Sequence, residues 1–205
     1  MKAVLFYVHD PMCSWCWGFS EVKKQFFSAL PDEIKTRRLL GGLAADDEQP
    51  MSAELQRYIQ QTWRHIEDKI PNVRFNFDFW QKCQPRRSTY PACRAVIAAR
   101  LQGDQYDEEM TTRIQQAYYQ EARNPSDNKT LVDLARDIGL DHQRFSNDLL
   151  LDSIQQSLMQ EIRLSRQLHA DSFPSLVLKI DDSTWPVAID YLDAQPMLES
   201  VKVLL

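Results

Sequence analysis

Strand character is confined almost entirely to the two ends of this chain. Apolar runs at residues 2–9 and 34–40 open it and runs at 176–180 and 185–189 close it, while apolar residues between them recur at helical spacing. A sheet must therefore be assembled from segments separated by a helical block of about 110–120 residues. The first run stops at Asp10-Pro11, as a buried strand does on entering a turn. Trp17, Val22, Phe26, Phe27 and Leu30 then lie along one helical face until Pro31, and the run 34–40 closes at Gly41-Gly42. Strand, helix, strand is a βαβ unit if the strands are parallel. The end of the chain reads as a hairpin turning at Asp181-Asp182-Ser183, with Pro186 restricting its second strand to an edge or a strand start. A helix over about 193–203 would pack Met197, Leu198, Val201 and Leu204 inward.

In the central block, Leu55, Tyr58, Ile59, Trp63, Ile66 and Ile70 keep a helical period that Pro71 ends. Further helices are expected at about 90–102, 105–122, 130–138, 142–151 and 153–168. Asp104, Thr130 and Asp141 stand where N-caps would, Asp133 completes a capping-box-like pair with Thr130, and Gly139 is a natural stop. The alternation from Val73 to Phe79 suits a short strand or an extended loop laid on the core, and 124–128 reads as a polar, hinge-like loop. The expected architecture is α/β: one mixed sheet in two parts, 1–44 and 169–205, split by a helical insertion over 45–168.

Composition narrows the function. The chain of 205 residues carries 24 Lys and Arg against 29 Asp and Glu, a net charge of −5, so it lacks the excess of cations with which proteins neutralise nucleic-acid phosphates. No run of about 18 apolar residues is present to span a bilayer. The apolar start breaks at His9-Asp10, short of a signal h-region, so the expected compartment is the cytoplasm, where disulfides are mostly transient and catalytic. A chain of this length buries enough core to do without disulfide staples, which frees its four cysteines for chemistry.

Two of them stand as Cys13-Ser14-Trp15-Cys16, directly after a predicted strand and at the start of a predicted helix. One helical turn brings both sulfurs within bonding range, and the helix start offers unpaired N–H groups and partial positive charge that favour thiolate. Cys13, at the helix start, is expected to be exposed and nucleophilic, and Cys16, one turn inside, to be the resolving thiol. Half of a zinc site is the competing reading, but Cys83 and Cys93 do not form a second CxxC. Those two could pair, sense redox state or be small buried hydrophobes, and the last is favoured. Asp10 would raise a neighbouring thiol pKa where the helix start lowers it. Trp15 is expected at the surface, with Ser14 beside the approach to the dithiol, and Trp17 in the core. The basic, hydroxyl-bearing loop 85–89 could hold an anion or could be a solvated approach to the next helix. His9, His65 and His169 carry no catalytic signal, although His9 is close enough in sequence to touch the site.

The order strand, helix-start CxxC, helix, strand, and later a lone Pro opening a hairpin at Ser172-Phe173-Pro174-Ser175, resembles the thioredoxin superfamily. The long helical insertion resembles its DsbA-like branch. Residues 10–19 with Gly41-Gly42-Leu43 and Pro91-Ala92-Cys93-Arg94-Ala95 look most like the FrnE-type group of predicted disulfide isomerases. The resemblance implies a thioredoxin fold and a thiol–disulfide oxidoreductase, isomerase or reductase. It also implies that Pro174 is a cis-proline facing the CxxC and that Phe173 offers its N–H and C=O to an extended substrate. No metal or organic cofactor is implied; the substrates would be protein or small-molecule disulfides, with glutathione as a potential co-substrate, and no nucleic-acid or membrane partner. Ser14 and Trp15 replace the Pro-His of the best-known DsbA pattern, so its strongly oxidising character does not carry over. Glutathione transferases of the kappa type and hydroxychromene-carboxylate isomerases resemble the same scaffold, but typically keep a Ser or one thiol where this chain has two. A third reading is a non-catalytic binding or adaptor module.

Overall fold

The computed structural model describes residues 3–205; Lys2, which the apolar pattern counts into the first strand, lies outside them. Strand β1 (Ala3–His9) has β2 (Lys35–Leu40) parallel on one side and β3 (Ser175–Ile180) antiparallel on the other, and β4 (Ser183–Val187) pairs with β3 at the far edge. Alternation along β1 explains why a central strand reads as a continuous apolar run. Ala3, Leu5 and Tyr7 face Phe19, Val22, Phe26, Met197 and Val201, while Phe6 and Val8 face Leu39, Leu168, Ala170 and Val177. The closing hairpin is tighter than its composition suggests. Asp181, at φ +51, and Asp182 make the turn, Ser183 already pairs with Ile180, and β4 therefore spans 183–187 rather than 185–189. Pro186 sits opposite Val177 on the edge strand, where its missing N–H breaks no ladder.

The helix after the CxxC is two pieces, α1 (Ser14–Gly18) and α2 (Ser20–Ser28), parted at Phe19. The insertion contributes α3 (Ala53–Lys69), α4 (Phe79–Lys82), α5 (Tyr90–Arg100), α6 (Tyr106–Tyr119), α7 (Asn128–Asp137), α8 (His142–Asp148) and α9 (Asp152–Gln167), and α10 (Gln195–Leu204) closes the chain. Asp141 caps α8 through the Gln143 and Arg144 N–H groups, and Gly139, at φ +80, follows the end of α7. Two expected caps fail. Thr130 lies inside α7, whose N-cap is Asp127, a side chain spent on Arg86 instead of the helix; and α6 starts at Tyr106 with no side-chain cap. The alternating stretch 73–79 is an extended loop that runs into α4, because its amides go elsewhere: Phe75 N–H to Glu67 and Asn76 N–H to the Tyr119 carbonyl. Nor is 124–128 a hinge, since Asn124 and Ser126 are buried and Arg86 binds Ser126 O and Asp127.

Charge as well as apolar packing ties the insertion to α2 and β2 and ties its own helices together. Lys23 pairs with Glu108 at 2.6 Å, Arg38 reaches Glu108 at 2.9 Å, and Arg100 joins Asp107 to Glu161. Glu161 also accepts the Leu40 N–H at 2.7 Å, so α9 covers the edge of β2 with a bonded carboxylate.

His9, at the end of β1, stacks flat on Tyr7 with ring centroids 4.8 Å apart, and neither of its ring nitrogens has a hydrogen-bond partner among the described residues. Burial, reinforced by Lys23, holds its pKa well below the ordinary imidazole value. The folded protein therefore binds fewer protons than the unfolded chain once pH drops below about 6.5, and stability falls as pH falls. We expect that loss to approach about 1.4 kcal/mol per pH unit, measured by urea unfolding as the difference between wild type and His9→Phe. The difference cancels the buried Asp10 carboxyl, whose pKa burial raises. Parallel stability profiles for the two proteins would refute a neutral buried His9.

Candidate active site

Cys13 is the N-cap of α1, in extended backbone geometry, and its Sγ accepts the Cys16 N–H at 3.3 Å. A sulfur placed there meets the first unpaired amides of a helix, the arrangement that steadies a thiolate. Cys13 is not exposed as its position predicts: it is 5 % accessible, because the turn from Asp10 tucks it beneath Phe173. Its thiol lies 3.4 Å from the Phe173 carbonyl oxygen, an acceptor for S–H in the reduced protein. Cys16 is 1 % accessible, and burial, with the Cys13 sulfur next in order, pushes its thiol well above the ordinary range. The two sulfurs are therefore unequal, one on a cavity wall and one sealed behind it.

The Phe173–Pro174 peptide bond is cis. The Phe173 ring lies against Gly41 so closely that a Cβ on Gly41 would stand 2.0 Å from it; the second strand ends in glycine where this ring must rest. The Ser14 hydroxyl accepts the Trp63 indole N–H at 2.9 Å, tying the CxxC to the centre of the insertion's aromatic core. There Trp63 stacks on Phe75 at 4.9 Å and meets Tyr118 and Tyr119 edge-on. Trp15 is half-buried, against Tyr191 and His65. Trp17, expected in the core, is half-buried too: its ring stacks on Tyr119 and its N–H reaches the Arg74 carbonyl.

Beneath the dithiol lies a residue that sequence reading took only for a nearby charge. Asp10 is fully buried, and its carboxylate accepts the N–H groups of Met12 (2.8 Å) and Leu43 (2.7 Å), the Thr89 hydroxyl (2.6 Å) and the Cys93 thiol (3.4 Å). It thus binds the CxxC turn to the loop after β2 and to the start of α5. A buried carboxylate needs such a set of donors, and all come from residues remote in sequence or from backbone, which no local pattern reveals. Cys93 is buried as expected, though it serves as a donor rather than as a hydrophobe. Cys83 is half-buried with its thiol on the Ala122 carbonyl, so the two are separate free thiols and not a second disulfide. His65 touches Trp15 from α3, whereas His169 follows α9 with φ +55 and lies outside the helix.

A cavity of about 220 Å³ opens beside Cys13, walled by Ser14, Trp15 and Phe173 on the sheet side and by Ile59, Arg87 and Tyr118 on the insertion side. Of the residues expected at the site, Cys13, Ser14, Trp15 and Phe173 meet at this cavity, Cys16 lies behind Cys13, and Pro174 borders a different hollow, on the β3–β4 side. The loop 85–89 is not a solvated approach either: Ser88 and Thr89 are buried. Among the described residues no three His, Cys, Asp or Glu side chains gather as a metal ion would require.

Comparison with known proteins fits this geometry. A family model described as thioredoxin matches residues 6–186, nearly the whole chain. The chain belongs to that family. Its fold is the DsbA-like form, with the helical insertion. It superposes on a Nitrosomonas europaea protein provisionally described as a protein disulfide isomerase, with a TM-score of 0.84, 24 % identity and 99 % and 97 % of the two chains covered. Against the cytosolic disulfide reductase DsbM of Pseudomonas aeruginosa the TM-score is 0.75, at 24 % identity with 98 % of each chain covered; that protein has also been solved with GSH. Among curated sequences, the ClpXP adapter protein SpxH of Halalkalibacterium halodurans is 23 % identical over 177 residues, 84 % of this chain and 57 % of the adapter. The chain thus spans little more than half the length of the curated relatives it matches. Among the described residues no helix is long and apolar enough to cross a membrane.

Proposed function

We propose that this protein is a thiol–disulfide oxidoreductase in which Cys13 attacks and Cys16 resolves. The observation that carries the reading is the Cys13 sulfur itself, at a helix N-cap, receiving the Cys16 N–H at 3.3 Å and bordering a cavity. The Cys13 thiolate attacks one sulfur of a substrate disulfide, forms a mixed disulfide and expels the other half as a thiolate. Cys16, on losing its proton, attacks the Cys13 sulfur, and the remaining half leaves as a second thiolate. Two electrons pass from the dithiol to the substrate, and the enzyme is left as the Cys13–Cys16 disulfide until a small thiol reduces it. No metal or organic cofactor enters this scheme, nor does nucleic acid or a membrane.

Phe173, oriented by the cis bond to Pro174, holds the substrate's backbone against the dithiol, with Ser14 and Trp15 at the rim. Protein and small-molecule disulfides are the substrate class, with glutathione as co-substrate, a reading supported by the similarity to DsbM, which was solved with GSH. The description of DsbM as a cytosolic reductase supports the same setting and direction here. The test is to equilibrate the protein in thiol–disulfide buffers, alkylate free thiols and map the modified cysteines by mass. A Cys13–Cys16 disulfide should form, with a reduction potential nearer about −270 mV than about −120 mV. Failure of that disulfide to form at any poise would overturn the reading.

One observation favours a second function, that of an adapter: the curated relatives are ClpXP adapter proteins. Under that reading the double variant Cys13→Ser, Cys16→Ser keeps partner capture undiminished, whereas under the redox reading any protein held as a mixed disulfide is lost.

A further inference from the structure

The cavity beside Cys13 is basic in a chain of net charge −5. Two guanidinium-bearing residues, Arg86 and Arg87, border it, and no Asp or Glu does. The two arginines differ in what they do. Arg86 holds structure through one nitrogen: its Nη2 donates to the Ser126 carbonyl at 2.7 Å and to Asp127 at 2.6 Å, pinning the loop before α7, while its buried Nε has no partner among the described residues. Arg87 makes no hydrogen bond or ion pair with any described residue. Arg87 lines the cavity on the same wall as Tyr118. Nearby carboxylates are already committed: Asp10 to its four donors and Asp127 to Arg86. A half-buried arginine whose side chain has no acceptor, on the wall of the cavity that Cys13 borders, is matched by an anionic group on whatever that sulfur attacks.

We propose that Arg87 selects, for the dithiol, small disulfides that carry a carboxylate, by binding that carboxylate while Cys13 engages the sulfur. The inference rests on the redox reading of Cys13 and adds the substrate's charge to it. Size argues in the same direction. About 220 Å³ is below the roughly 300–1,000 Å³ of sites for drug-sized ligands, so the cavity takes one arm of a small disulfide. Met12, Leu43, Met51 and Ile59 add apolar wall, which suits the short carbon chain that links a thiol to a carboxylate. The exchange itself is unchanged: the carboxylate is neither made nor consumed, and the sulfur–sulfur bond breaks toward the arm not held by Arg87.

The experiment is single-turnover oxidation of the reduced protein by two small disulfides, 3,3′-dithiodipropionate, which has two carboxylates, and bis(2-hydroxyethyl) disulfide, which has none. The readout is the ratio of the two rates, compared between wild type and variants so that the intrinsic reactivities of the disulfides cancel. In Arg87→Ala the ratio should fall by about tenfold or more, the scale of one charge-assisted hydrogen bond, and Arg87→Lys should retain part of it. In wild type the ratio should also fall as salt is raised, a measurement that needs no variant to fold. A ratio equal in wild type and Arg87→Ala, or insensitive to salt, would overturn the proposal while both disulfides still oxidised Cys13–Cys16. Silence toward both disulfides would instead overturn the redox reading, and this inference with it.

Discussion

Cys13→Ser should lower thiol–disulfide exchange by about 10³-fold or more, the scale on which loss of a covalent nucleophile acts. Serine keeps the size and the N-cap hydrogen bond that Cys13 makes with the Cys16 N–H, so the fold has no reason to change. What disappears is the sulfur that forms the mixed disulfide. Cys16 cannot take over, because it is 1 % accessible and burial holds its thiol in the protonated form. Cys16→Ser should behave differently: Cys13 still attacks, nothing resolves the product, and a stable adduct accumulates on Cys13. Peptide mapping after exposure to a small disulfide distinguishes it from an adduct on half-buried Cys83. Exchange at the wild-type rate in Cys13→Ser, or an adduct on Cys83 alone, would remove Cys13 from the nucleophile's role.

Asp10→Ala should destabilise the protein by about 3–5 kcal/mol, seen as a lower urea midpoint. The Ala variant leaves the Met12 and Leu43 N–H groups buried without an acceptor, whereas the Thr89 hydroxyl can turn to the Ala44 carbonyl 3.3 Å away. Asp10→Asn should cost less, about 1–3 kcal/mol. Its amide nitrogen can face Met12, the single donor on Oδ1, and keep an oxygen toward the other three. The order Ala worse than Asn follows from that uneven distribution of donors. Equal costs, or a loss below about 1 kcal/mol for Ala, would mean that Asp10 does not hold the turn, the loop after β2 and α5 together.

The elements that could be read in advance are those whose cause is local. β1 alternates between two buried faces, so its run of apolar residues ends where the turn at Asp10-Pro11 begins; Asp141 caps α8 because an N-cap acts on amides two and three residues away. Cys13 and Cys16 share one helical turn, and their spacing alone places one at the helix start and the other inside. The errors arose where a side chain had two uses and the distant one prevailed. Asp127 bonds Arg86 instead of its helix, and the amides of Phe75 and Asn76 reach Glu67 and Tyr119 in place of a strand partner.

By itself, the sequence determined that Cys13 and Cys16 share one helical turn, the strand–helix–strand that presents them and the helical block that divides the sheet, because periodicity and spacing act over a few residues. Only the tertiary structure decided that Asp10 is a hub, that Trp63 holds Ser14, that Phe173 rests on Gly41 and that Arg86 is tied to Asp127 beside the cavity that Arg87 lines. Each of these joins residues from about 30 to about 130 positions apart, and their contact depends on how the helices pack against the sheet, which no short-range pattern encodes.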